Sequence, residues 1–169
     1  SQSGTAAIRS DRLKLETFEP LMDLAPAVRS FGLRGSVAPN INASFQGATY
    51  QAKGAVELRD ISLHVPQYEV TGLTGTIALD ATTNSIRAES KEIAMAVNGE
   101  RMQVALESSL KGKQATIEGL AIKAFGGEIT GRVATTLDGN QPFSTTLKIT
   151  NLDTAPALSL AGTPREAQK

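Results

Sequence analysis

Apolar and polar residues alternate with a period of two along most of the 169-residue chain, the pattern of strands with one buried face. Ile129, Val133 and Leu137 share a phase with Gly131 and Thr135, while Glu128, Thr130, Arg132 and Thr136 take the other. Phe143, Leu147 and Ile149 share a face, with Lys148 and Thr150 opposite. Leu33, Val37, Ile41, Ala43 and Phe45 do the same, and Pro39 limits that segment to an edge or a break. The stretch IAMAVNGERMQVAL predicts a hairpin. Asn98-Gly99 is the favoured pair for a two-residue type I′ turn. That turn sets Met95 opposite Met102 and Ile93 opposite Val104, so turn chemistry and apolar pattern agree on register.

One irregularity recurs. In VELRDISLHV the apolar phase runs Val56, Leu58, then slips to Ile61, Leu63, Val65. In YEVTGLTGTIAL it slips from Val70 to Leu73, and in ATIEGLAIKA from Ile117 to Leu120. A β-bulge restores the face after each slip and bends the strand, so repeated bulges predict a strongly curved sheet. A turn between two short strands is the alternative, above all at LRDI. In KAFGGEITG, the pair Gly126-Gly127 reads as a sharp turn into the next strand.

Helix is scarce. A short stripe of Phe18, Leu21, Met22 and Ala25 predicts one helix near 18–31, and LDTAPALSLAG predicts another near 154–161, capped by Asp153 and stopped by Gly162. The two segments look alike: Leu15-Glu16-Thr17 and Leu152-Asp153-Thr154 each end a strand, and each is followed by proline and a short apolar helix. This reads as one repeat plus the start of the next. The polar start SQSGTAA and the tail-like end GTPREAQK read as cut points, so the expected organisation is a tail or first strand over 1–12, one domain over 13–160 and a disordered tail over 162–169 of a longer chain.

Composition narrows the function. Lys plus Arg and Asp plus Glu number 17 each, so there is no basic stripe and nucleic acid is not an expected partner. No cysteine is present, which excludes disulfides, thiol catalysis and Cys-ligated zinc. Aromatics are 4% and tryptophan is absent, so any core is aliphatic. The single histidine, His64, shares RDISLHV with Asp60 and Ser62. Residues two apart on a strand lie roughly 6.5–7 Å from each other, too far for the direct hydrogen bonds of a catalytic triad. The expected reading is a solvated strand face, no enzyme, no metal and no cofactor. FGGEITG precedes a strand, whereas a dinucleotide fingerprint follows one and opens a helix.

What remains is a large one-sided aliphatic β surface. A second sheet could cover it as a sandwich, or the sheet could curl into an open groove whose lining meets a ligand. At roughly 25 cal/mol per Å², leaving 1,000 Å² wet would forgo on the order of 25 kcal/mol. A groove must therefore be narrow, closed or filled.

The segment AFGGEITGRVATTLDGNQPFSTTLKITNLDTAPAL resembles the C-terminal part of AsmA-like proteins, the TamB- and YhdP-type repeating β-groove proteins of Gram-negative bacteria. The matching residues are Phe125, Gly126, Gly127, Ile129, Gly131, Asn151, Leu152 and Asp153. GLRGSV, KGAVELRDISLHVP and VTGLTGTIAL resemble the family's spacing upstream, and the resemblance spans about Leu13 to Leu160. It implies a mainly β fold: a strongly curved antiparallel sheet forming a groove, taco-like or partly open, with one or two short capping helices. It also implies a periplasmic, inner-membrane-anchored parent protein, with membrane contact through parts absent here. Adjacent repeats would be its partners, and its role would be phospholipid transport between inner and outer membranes. No catalytic residue carries over. The expected acyl-chain lining is Ile93, Met95, Met102, Val104, Ile117, Leu120, Ile122, Ile129, Val133, Leu147 and Ile149. The rival expectation is an assembly domain whose edges pair with other repeats or with client β-strands during outer-membrane protein biogenesis.

Overall fold

A computed structural model describes residues 2–17, 32–65, 67–136 and 143–160. Ten strands form one antiparallel sheet: β1 (Ser3–Arg9), β2 (Leu13–Lys14), β3 (Arg34–Gln46), β4 (Thr49–Val65), β5 (Tyr68–Thr82), β6 (Ser85–Val97), β7 (Glu100–Lys111), β8 (Gln114–Ala124), β9 (Gly127–Thr136) and β10 (Phe143–Thr150). From β3 onward each strand pairs with the next in the chain, while β1 and β2 both pair with β3. The sheet is mainly a meander, and β1 does not pair with β10, so it does not close into a barrel. One helix, α1 (Thr154–Leu160), follows β10. Its first turn is capped by Asp153, whose Oδ1 accepts the Ala155 N–H at 3.1 Å. The expected helix near 18–31, Leu137 and the tail from 162 lie outside the described residues.

Pro39 shows how the sequence sets strand neighbours. It sits within β3, opposite Val56 of β4. On its other side the outer strand is interrupted: β1 pairs with residues 40–46 and β2 with Val37 and Ser36. The Pro39 carbonyl accepts the Ser10 N–H at 3.0 Å in that gap. A residue's N–H and C=O point to the same side of a strand, so the donor that proline lacks is missing where the ladder is broken anyway.

Register shifts cross the sheet in a line. They fall between Arg34 and Ser36, Leu58 and Ile61, Ile61 and Leu63, Thr71 and Thr74, Gly75 and Ala78, Ser90 and Ile93, Ala105 and Ser108, and Ile117 and Leu120. Those after Leu58, Val70 and Ile117 are the slips read from the sequence, and each is a bulge inside a continuous strand rather than a turn. Asp60 and Gly72 carry the extra residue at φ 49° and 62°. The β6 shift was hidden in the sequence because its inward residue is polar. Ser90 is 3% exposed, and its hydroxyl donates to the Thr76 carbonyl at 2.8 Å.

The Asn98-Gly99 turn has both residues at positive φ, 50° and 86°, as a type I′ turn requires. It sets Met95 opposite Met102 and Ile93 opposite Val104. Asn98 also ties this turn to the start of β5. Its Oδ1 accepts the Glu69 N–H at 2.7 Å, and its Nδ2 donates to the Gln67 carbonyl at 3.0 Å.

No second sheet lies opposite this one among the described residues. The chain exposes 11557 Å², whereas a compact monomer of 17.7 kDa exposes roughly 8,000 Å². Among described hydrophobic residues only Ile61, Ile93 and Ala124 are buried. The described residues therefore form a single sheet rather than the sandwich alternative.

Arg59 holds the broken outer strand. Its guanidinium donates to the Asp11 carbonyl at 2.8 Å and to both Glu57 carboxylate oxygens at 2.9 and 2.7 Å. Those hydrogen bonds, and then the charge of Arg59, hold the Glu57 carboxyl below its ordinary value of 4.5. A lowered carboxylate pKa contributes stability above the unfolded value and loses it as pH falls through the folded value. Amide exchange of β1 and β2 relative to β6 and β7 is therefore expected to speed up as pH drops below 4.5, and in Arg59→Ala at all pH values. Asn98→Ala is expected to lower stability by about 1–2 kcal/mol in chemical denaturation, because two side-chain hydrogen bonds and the turn preference are lost together. Asn98→Gly should retain the turn and lose the smaller part.

Candidate functional site: the open apolar face

Directly opposed residues in an antiparallel ladder point to the same face, so the register traces rows across the sheet. One row starts at Leu13, Val37, Leu58 and Gly75. It continues through Ile93, Val104, Ile122, Ile129 and Ile149. A second starts at Ile8, Ile41, Gly54 and Leu79 and continues through Ala88, Ser108, Ile117, Val133 and Thr145. Each row crosses nine strand positions, roughly 40 Å at the spacing of neighbouring strands. Met95 and Met102 lie two positions beyond the first row, and Leu120, Gly131 and Leu147 lie between the two.

All eleven residues expected to line a groove are thus on one face. They differ in exposure. Ile93 is buried at 7%, whereas Leu147 and Ile149 on the last strand are 52% and 58% exposed. Met95, Met102, Val104, Ile117, Leu120, Ile122, Ile129 and Val133 are half-buried. Exposure is graded along the strands. The three buried hydrophobics lie toward the end that carries the Asn98-Gly99 turn, whereas Phe45, Tyr50 and Ile86 lie toward the other end, at 46%, 45% and 43% exposed.

A cavity of about 310 Å³ opens on this face over β6 to β9. Ile86, Ala88, Leu110, Ala115, Ile117 and Val133 form its apolar wall. Of these only Ile117 and Val133 belong to the lining expected from the sequence. Leu110 follows Met102, Val104 and Leu106 in strict alternation through Ser108, so its phase was legible. Ile86 lay beyond the hidden β6 bulge.

The opposite face is polar and charged. Lys53 pairs with Asp80 at 3.1 Å, Arg87 with Glu107 at 2.9 Å and Arg132 with Glu118 at 2.9 Å. Such exposed pairs contribute little stability individually, but they keep that face wet and fix which side is apolar.

The residues that carried the family resemblance converge on one corner. The turn is Phe125-Gly126, at φ 52° and 71°, rather than Gly126-Gly127. Gly127 is already the first residue of β9, and its role is close approach. A Cβ there would lie 2.5 Å from the Thr150 carbonyl oxygen and 2.7 Å from backbone atoms of Asn151 and Leu152. The Asp153 N–H donates to the Phe125 carbonyl at 2.9 Å, closing the corner. Gly131 meets Leu147 further along the same β9–β10 pair. These residues build the β8–β9–β10 corner.

Asp60, Ser62 and His64 do not assemble. Asp60 is in the β4 bulge, and its N–H donates to Thr74 Oγ1 at 3.3 Å. Ser62 faces Arg34, and exposed His64 faces Glu69. Among the described residues no cluster of three or more His, Cys, Asp or Glu could hold a metal, and no helix is long and apolar enough to cross a membrane.

Gly127→Ala is expected to destabilise the chain by about 1–3 kcal/mol, because fixed backbone must move. Gly126→Asn, with open space around it and a side chain that tolerates positive φ, should lose less. Thermal denaturation of the two variants side by side checks the assignment of turn and contact.

No protein-family model matches the chain, and neither a curated protein nor a solved structure matches it.

Proposed function

We propose that this chain is a lipid-binding groove module whose apolar face holds acyl chains. The observation that supports the reading is a continuous apolar face, roughly 40 Å long, with no second sheet over it among the described residues. Such a face is unfavourable in water. An acyl chain gains about 0.8 kcal/mol for each methylene it buries. The lining offers no charged side chain in its two central rows, so it would solvate chains and leave head groups in water. Met95 and Met102 give the wall two adaptable side chains. With the resemblance to AsmA-like proteins, this extends to a periplasmic role: phospholipid moving along the groove between inner and outer membranes, within a membrane-anchored parent protein.

A second reading has its own support. β1 and β10 each have a ladder partner on one side only among the described residues, and their inward residues Ile8, Leu147 and Ile149 are the most exposed large hydrophobics. Open edges of this kind recruit further strands, as an assembly domain would.

Native mass spectrometry followed by organic extraction tests both. The groove reading expects phospholipid bound to the purified chain and lost in Ile117→Asp and Ile129→Asp variants whose far-UV circular dichroism is unchanged. A lipid-free monomer would sink it. A lipid-free dimer that separates on Leu147→Lys would move the assignment to assembly.

A further inference from the structure

A cavity of about 800 Å³ lies at the Asn98-Gly99 end of the sheet, a volume within the range of small-ligand sites. It lies mainly over the face opposite the apolar rows, although Met95, Met102 and Ala124 of those rows also line it. Thr71, Ala94, Ala96, Arg101, Gln103 and Lys123 line it. Each of them alternates with, or pairs alongside, the inward rows and so points away from them. Ala94 and Ala96 leave a low floor, and Phe125 adds an aromatic wall.

Its charges are unbalanced. Arg101 and Lys123 both line the cavity, and Glu128, the ladder partner of Lys123, is the one carboxylate among the lining residues. Neither cation forms a salt bridge within the described residues, in contrast to Lys53, Arg59, Arg87 and Arg132 on the same face. Gln103 is directly opposite Lys123, which places Arg101 diagonal to Lys123, within reach of long side chains. A guanidinium fork beside an ammonium group is a natural arrangement for phosphate oxygens. The alanine floor and Phe125 favour an apolar body next to that anion.

We infer that this cavity is a second binding site, for a small amphiphile that carries a phosphomonoester group. It touches the apolar face only at Met95, Met102 and Ala124 and rests on Arg101 and Lys123 rather than on the groove reading. The group could belong to a lipid head group at a membrane surface or to a free phosphomonoester.

The experiment follows backbone amide shifts during titration with dihexanoylphosphatidic acid, inorganic phosphate and dihexanoylphosphatidylcholine. The expected result is binding of the phosphatidic acid, with shifts concentrated at Ala94, Ala96 and Gly126. Affinity should fall about tenfold or more in Arg101→Gln and in Lys123→Gln and hold in Lys53→Gln, a cation of the same face outside the cavity. Equal binding of inorganic phosphate would overturn the amphiphile assignment and leave a bare ion site. Phosphatidylcholine shifts of equal size at Ala94, Ala96 and Gly126, or phosphatidic acid shifts confined to the amides of Ile117 and Val133, would overturn the site. Vesicles of phosphatidylcholine with and without phosphatidic acid separate the two sources. Arg101-dependent vesicle binding assigns the group to a membrane, and binding of the soluble lipid alone assigns it to a free ligand.

Discussion

Everything in this molecule depends on keeping one face of a very wide sheet apolar. Side chains alternate strictly along a strand, so one unmatched residue sends all later apolar positions to the wrong side. The line of bulges through β4, β5, β6 and β8 prevents this. Each inserts one residue, and the face resumes beyond it. The same insertions bend and twist their strands, so the device that preserves the face also curves it. Asp60 and Gly72 adopt left-handed backbone for this purpose. Ser90 occupies an inward position as a polar residue and satisfies a carbonyl of the neighbouring strand.

A sheet without a second layer must be held by other means. Burial is incomplete at most positions, since only three described hydrophobics are fully shielded from solvent. The ladders are long instead, with β4 running for 17 residues and β5 for 15. Links between elements are backbone-directed: Asn98 to the β4–β5 turn, Arg59 to the gap in the outer strand, and Asp153 to the Phe125 carbonyl. The opposite face adds charge pairs between neighbouring strands. The apolar face therefore stays available because the fold does not use it up.

Much of this was legible from residue order, and the failures have physical causes. The Asn98-Gly99 hairpin was readable because turn chemistry and apolar phase agree there. Bulges after Leu58, Val70 and Ile117 were readable because apolar residues flank them. The β6 bulge was not, because Ser90 interrupts the apolar phase at the insertion. Gly126 and Gly127 were read as one turn because both are glycine. The first is needed for its backbone angle and the second for its missing Cβ, a distinction that only the nearby Thr150 to Leu152 backbone creates. Periodicity also could not separate a groove from a sandwich, since each needs the same alternation. The outer-face cavity left no trace in the sequence, because Arg101 and Lys123 become neighbours only through the register of β7 and β8.

The meander has a consequence for how such a protein can change in length. Among the described residues, extensive contact between strands occurs only between ladder neighbours. No residue of β4 needs to know what β9 contains. Removing or duplicating an interior hairpin would rejoin two strands of correct direction and leave both apolar rows unbroken, provided the bulge register is kept. Such an architecture is quasi-one-dimensional: its width is a free parameter, adjustable two strands at a time, while its cross-section stays constant.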